Sequence, residues 1–281
     1  MEINPFDDRA AMYDGSEPSL RSNLDLFSLP KTDISCVYST QHMPVFPLLS
    51  ISNPENPIEF VFNSDQSYID LSETYLKIGF SIRKSSDDTA TAAETLVAPG
   101  NLMFGLMFKN LEVYLNNKLI TDTSNAYPYV HYIQRMLTMP ESIKNSKLRA
   151  EFYYPNDTPD AHTLETVGFK QRQEASKTSV QVFMLGQLVN GLLQQNRWIG
   201  PGNEIRIVLR RSHPSFCLDA ADESTAYKVV IHQAKLLVQR KPVTSKVMEI
   251  HRSLLEKNET MKYILNEPMV KTASIATGLT S

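Results

Sequence analysis

Three residues close together in the chain, His213, Cys217 and Asp219, come nearest to a nucleophile set. A Cys–His pair works only when an imidazolium stabilises a thiolate at hydrogen-bond distance, and closeness in sequence does not supply that geometry. Cys217 stands between Phe216 and Leu218, the setting of a buried strand-edge thiol. Glu151, Asp157, Asp160 and Glu165 could offer the two facing carboxylates that glycoside hydrolysis needs, but acids in so polar a stretch read as solvated loop charge. Lys170, Arg172, Lys177 and the pair Arg210-Arg211 could meet phosphate or a subunit partner; with Glu174 interposed they read as a mixed-charge surface. Trp198 could stack on a sugar or base, and its place before Gly200-Pro201-Gly202 reads as a turn anchor packed on the core. The six histidines, His42, His131, His162, His213, His232 and His251, lack the i, i+2 or i, i+4 spacing that brings imidazoles onto one metal. No Gly-x-Gly-x-x-Gly, Gly-Lys-Ser/Thr, His-Glu-x-x-His or Gly-x-Ser-x-Gly motif occurs. No catalytic, cofactor-binding or metal-binding residue is assigned, and the chain is expected not to be an enzyme.

The chain has 281 residues, 42% of them hydrophobic and 21% charged, which is a globular composition and excludes wholesale disorder. A net charge of −3 leaves no global positive field, so strong non-specific nucleic-acid binding is not expected. No window approaches the ~18 consecutive apolar residues of a membrane span. The start, Met1-Glu2-Ile3-Asn4-Pro5, lacks the layout of a signal peptide, so synthesis in the cytosol is expected. Cys36 and Cys217 cannot build a disulfide framework and suit a reducing compartment.

Residues 1–27 are polar and without period in their greater part, the pattern of a flexible arm. Five prolines between Pro30 and Pro57 then favour an extended segment over a helix. Alternation of apolar and polar residues predicts strands at Ile58–Phe62, Tyr68–Lys84, Leu111–Leu115 with a hairpin at Asn116-Asn117 into Ile120, Val180–Val189, Glu204–Arg211 and Ala226–Lys241. A helix is expected over Tyr127–Met139, with Val130, Ile133 and Leu137 as its apolar stripe, Pro128 in its first turn and Pro140 as its stop. A weaker helix is expected at 141–151. Residues 85–100 and 155–178 read as long polar loops. Val243–Glu256 has the best amphipathic period, with Val243, Val247, Ile250 and Leu254 at i, i+4, i+7 and i+11. Short strands are expected at Met261–Ile264 and Val270–Ile275, where a new apolar pattern begins. Helices that never alternate regularly with strands argue for an all-β antiparallel sandwich of jelly-roll type with a few short helices in its loops.

Several segments in order carry a resemblance: Leu24-Asp25-Leu26-Phe27-Ser28, Pro57-Ile58-Glu59-Phe60, Tyr68-Ile69-Asp70-Leu71-Ser72, Leu111-Glu112-Val113-Tyr114-Leu115-Asn116, Tyr127-Pro128-Tyr129 with Tyr132-Ile133, and Phe216-Cys217-Leu218. Together, over residues 24–264, they resemble the major capsid protein of Polinton (Maverick) elements and adintoviruses. The resemblance implies a double jelly roll forming pseudo-hexagonal trimers that tile an icosahedral capsid. Residues 28–241 would be the first roll, and residues 242–281 a linker helix and the start of a truncated second one. It further implies homotrimer and capsomer–capsomer contacts, a minor capsid (penton) protein as partner, and a place in the virion. A single jelly roll that binds carbohydrate or a receptor is the alternative, with Trp198 as its stacking residue.

Two outcomes are expected from the sequence. Amides of the N-terminal arm should exchange with solvent unprotected in the monomer, as hydrogen-exchange mass spectrometry would register. Ile250→Asp or Leu254→Asp should impair folding or assembly, at about 3 kcal/mol or more if that face is buried, as denaturation and sedimentation would show.

Overall fold

The computed structural model describes residues 37, 39–158, 166–221, 225–266, 268 and 270. The chain divides into two units, Met1–Ser35 and Cys36–Ser281, and every described residue lies in the second. The expected arm at 1–27, Cys36, Asp160, His162, Glu165 and the strand expected after Val270 lie outside the described residues.

Ten strands follow one another as β1 (Gln41–Val45), β2 (Ile58–Asn63), β3 (Tyr68–Lys84), β4 (Val97–Pro99), β5 (Phe108–Leu115), β6 (Lys118–Asp122), β7 (Val182–Gly186), β8 (Glu204–Arg211), β9 (Leu218–Ala220) and β10 (Tyr227–Lys241). Among them lie α1 (Met103–Leu106), α2 (Tyr127–Thr138), α3 (Glu141–Lys144), α4 (Val167–Ser176) and α5 (Pro214–Cys217), and α6 (Ser245–Glu256) comes after β10. Two four-stranded sheets, ordered β1-β10-β3-β7 and β2-β8-β5-β6, are antiparallel throughout, with β4 and β9 as a small third ladder. This eight-stranded, two-sheet arrangement is a jelly roll, as the alternation of the strands anticipates.

Period-two patterning explains how the sheets stack. Ile58, Phe60 and Phe62 of β2, Ile205, Ile207 and Leu209 of β8, and Leu111 and Val113 of β5 turn inward from one sheet. From the other come Leu76, Ile78, Phe80 and Ile82 of β3 and Leu236 and Val238 of β10. Asn116 and Asn117 take φ of 49° and 64°, the left-handed pair that closes the β5–β6 hairpin in register with strand twist.

Several elements differ from expectation for physical reasons. Val97–Pro99, placed in a surface loop by its composition, is a buried strand on β9; three residues are too few to show a period. The polar stretch 155–178 contains α4, whose inward face carries Gly168, Phe169, Arg172, Gln173 and Ser176, so hydrophobic periodicity is absent there. Helix α2 sits where expected and Val130 of its stripe is buried in the core, but Ile133 and Leu137 are exposed while His131 and Arg135 are buried. Helix α6 forms as expected, yet none of its residues is buried among the described contacts; Ile250 is 50% and Leu254 37% exposed. A charge there costs this fold little, and of the expectation above only the effect on assembly stands. Met261–Ile264 forms no strand ladder among the described residues; Arg197 donates to the Lys262 carbonyl at 2.7 Å and the Gly200 amide to Tyr263 Oη at 3.1 Å.

The outward turn of Ile133 and Leu137 follows from a buried ionic cluster. Arg135 Nη2 and Nε reach the two carboxylate oxygens of Glu151 at 2.8 and 3.2 Å, and Nη2 also donates to the Gln187 carbonyl at 2.8 Å. His131 Nε2 lies 3.2 Å from the same carboxylate. Gly105 and Gly186 make room: a Cβ at the first would stand 2.3 Å from His131 Nδ1, and at the second 2.8 Å from Glu151 Cγ. Burial lowers the His131 imidazole below its ordinary value near 6.5, with Glu151 pulling the other way, so His131 is neutral. Burial works to raise the Glu151 carboxyl, but His131 and Arg135 hold it below the ordinary carboxylate range.

Arg172, read from sequence as part of a charged surface, is fully buried. Its Nε donates to the Pro99 carbonyl at 2.7 Å, Nη1 to the Tyr154 carbonyl and to Asn156 Oδ1, and Nη2 to the Asp219 carboxylate at 2.9 Å. One guanidinium thus joins α4, β4, β9 and the 154–156 connection.

Two consequences can be measured. Arg172→Ala should cost about 3–5 kcal/mol in chemical denaturation, since it leaves several buried acceptors unmet, whereas Lys170→Ala on the exposed side of α4 should cost under about 0.5. On acidification the unfolded chain gains a proton at His131 that the folded chain refuses, so stability is full above about pH 6.5 and falls below it. Glu151 adds a further loss below about pH 4.5. Melting temperature should fall from about pH 7.5 to about pH 5, and less steeply in His131→Gln; equal slopes would count against this assignment.

Candidate functional site

The sequence-derived nucleophile set is not brought together. Cys217 ends the short helix α5, and its thiol donates to the Leu106 carbonyl at 3.2 Å and the His213 carbonyl at 3.5 Å. Burial pushes this thiol up to about 12, so it holds its proton at neutral pH. The His213 ring lies 2.7 Å from the Ser215 hydroxyl and caps α5, and Asp219 is engaged by Arg172.

The carboxylates are likewise committed. Glu151 is enclosed with Arg135 and His131, and Asp157 accepts from the Val167 amide at 3.0 Å, closing the first turn of α4. Arg210 pairs with Glu112 at 2.9 Å, and Arg211 donates to the Ile51 carbonyl, tying β8 to the segment before β2. Trp198 is half-buried and lines a surface pocket with Tyr68, Arg197 and His251. The Lys241 ammonium stands 4.4 Å over its ring, and Lys241 also meets Asp70 at 2.5 Å. That cation occupies an indole face that a sugar would need. The remaining described histidines have structural contacts: His42 with the Glu73 carbonyl, His232 with the Ser81 hydroxyl, His251 with the Tyr68 hydroxyl. No cluster of metal-ligating side chains occurs among the described residues.

Exposed apolar surface is what the scaffold presents instead. Tyr129, Ile133 and Leu137 project from α2, Leu137 at 81% exposure, and Phe216 extends the patch by an edge contact with Tyr129 at 6.1 Å. A groove of about 1,010 Å³ is lined by Val130, Ile133 and Leu137 of α2, by Gly191, Gln194 and Gln195, and by Ile264, Leu265, Asn266, Pro268 and Val270. Past β1, Phe46, Leu48 and Leu49 are exposed at 62%, 65% and 47%. Such contiguous patches mark interaction surfaces on soluble proteins. Sequence reasoning took the α2 stripe for core. The available signal was that Arg135 is the sole residue among Asp, Glu, Lys and Arg between Tyr127 and Thr138, so the outward face could not be a solvating one.

No protein-family model matches the chain. It is 30% identical to an uncharacterized protein of Caenorhabditis elegans over 143 residues, covering 48% of this chain and 34% of the relative. Among solved structures it is similar to a chain of the Sputnik virophage, with a TM-score of 0.53 at 12% identity, covering 82% of this chain and 53% of that one. Against the mavirus major capsid protein the TM-score is 0.48 at 13% identity, covering 84% and 52%. The chain therefore spans about a third of the worm relative and about half of each viral chain. By strand order and by its likeness to the Sputnik virophage chain, this protein has a jelly-roll fold of the kind found in a viral particle.

Proposed function

We propose that this protein is a structural component of an icosahedral capsid or capsid-like shell, the first roll of a double jelly-roll major capsid protein, with no catalytic part. The observation that carries this reading is the two-sheet jelly roll, which aligns with 82% of this chain but only 53% of the Sputnik virophage chain. That proportion is what one roll of a two-roll protein would give. In this reading α6 is the linker leaving the first roll, and residues 259–270 lead into the second. The apolar surfaces on α2 and after β1 are then contacts between copies, which assemble as trimeric capsomers and meet a minor capsid protein at the vertices. The net charge of −3 and the ion pairs that engage Arg210 and Arg172 fit a shell that holds its genome without strong nucleic-acid binding by this chain. Its location is the virion.

A single jelly roll that binds carbohydrate is the second reading, and the Lys241 ammonium over Trp198 weighs against it.

The test is the state of the purified chain. Light scattering on a size-exclusion column should give three times the 31.8 kDa chain mass, with hexagonal or ring-shaped particles by negative-stain microscopy. A chain that stays monomeric at about 100 μM and binds a glycan array, with loss of signal in Trp198→Ala, would overturn the capsid reading in favour of the second.

A further inference from the structure

The Arg210-Arg211 pair stands at a cavity where the start of β5 meets the end of β8. Phe108 lies opposite Arg211 and Asn110 opposite Arg210, so Lys109 between them has no partner in the register. A break of this β-bulge kind re-aims the side chain it carries. The cavity, of about 280 Å³, is lined by Lys109, Arg210 and Arg211, by His213 just past β8, and by Glu55 from the segment before β2.

The charges around this cavity do not cancel. Arg210 is answered by Glu112 at 2.9 Å. Lys109, Arg211 and Glu55 take part in no ion pair among the described residues. Cys217 lines the same cavity, and its thiol keeps its proton and brings no negative charge. The three cations Lys109, Arg210 and Arg211 against the carboxylates of Glu55 and Glu112 leave one positive charge over. Arg211 has the least compensation. Its Nη2 donates to the Ile51 carbonyl, while its Nε is shut off from water and has no acceptor. Burial lowers this guanidinium below its ordinary value, and no carboxylate opposes the effect. Arg172, the other guanidinium lowered by burial, has Asp219 to oppose it. A partly desolvated cation beside an open cavity is stabilised by an anion placed there.

The donors fix the class of anion. An ammonium and two guanidiniums, brought from two strands, match an anion of three or four oxygens more fully than a two-oxygen carboxylate. The volume lies just below the usual range for ligand pockets, about 300–1,000 Å³, which suits one phosphate group rather than a whole nucleotide. Glu55 and Glu112 would repel the further phosphates of a polyanion. We infer that the cavity where β5 and β8 meet binds a single phosphate group between Lys109 and Arg211, as inorganic phosphate or as the terminal group of a small phosphate ester. The inference goes beyond the capsid reading and does not rest on it.

Isothermal titration calorimetry on the full chain, at constant ionic strength, tests the site. Inorganic phosphate should bind at one site per chain, and chloride in its place should give no saturable heat. Lys109→Gln alters an exposed side chain, so circular dichroism and the melting temperature in phosphate-free buffer should stay as in wild type while phosphate binds about fivefold more weakly or worse. Arg211→Lys keeps the charge but loses the fork, and should weaken binding in the same way. Lys170→Gln, on the exposed side of α4, should bind as wild type does. Ribose 5-phosphate binding more tightly than phosphate would identify an ester as the ligand, and weaker or absent ester binding would identify the free ion. No saturable binding up to about 10 mM phosphate, or binding that Lys109→Gln leaves unchanged, overturns the site.

Discussion

The Arg172 guanidinium is the contact on which the loop end of this sandwich depends. A fully buried guanidinium is tolerated only when its donors are met, and here the acceptors come from three separate stretches of chain, Pro99, Tyr154 with Asn156, and Asp219. Helix α4 cannot shift without stripping them, and Gly168, whose missing Cβ lets the helix press onto the Pro155 carbonyl, fixes its approach. The small ladder of β4 on β9, too short to hold itself, is stable because Pro99 and Asp219 are clamped by the same side chain. The Arg135–Glu151 pair does similar work where α2 meets the end of β7, and its demand for an inward-facing helix side turns the aliphatic side of α2 to solvent.

That exchange accounts for what was legible in the sequence. Tyr68–Lys84 and Glu204–Arg211 were readable to the residue, and Ile58–Asn63 to within one, because the sandwich core calls for an apolar residue at every second position over Ile58–Phe62, Leu76–Ile82 and Ile205–Leu209. The Asn116-Asn117 turn was readable because few residues other than glycine accept two consecutive left-handed conformations. The orientation of α2 was legible at Val130 alone: Ile133 and Leu137 complete the helical period but face outward, and the partner that turns them there, Glu151, lies outside any window in which periodicity is measured. Helix α4 escaped for the same reason, since its buried face is polar and answered by residues 18, 47 and 73 positions away.

The site-level reading shows the same division. Residue types suggested a thiol nucleophile and paired acids; the structure gives Cys217, Asp219 and Glu151 other partners. Among the described residues the fold leaves uncommitted an exposed aliphatic surface, which has no motif. An interaction surface of this sort is encoded as an absence of charge on an exposed face, and exposure is known only once the fold is known.

The strand order also governs how the chain can come to its fold. Of the eight strands in the two main sheets, only β5 and β6 pair as a local hairpin; β1 must find β10, with Gln41 opposite Arg240, and β2 must find β8. During synthesis the first sheet therefore cannot close until nearly the whole roll has been made, and until then β1 and β3 present unpaired edges. Non-local pairing of this kind is slow and exposes the nascent chain to misassociation. Pro44 in β1, with no amide hydrogen to offer a stray strand, protects one of those edges throughout the wait.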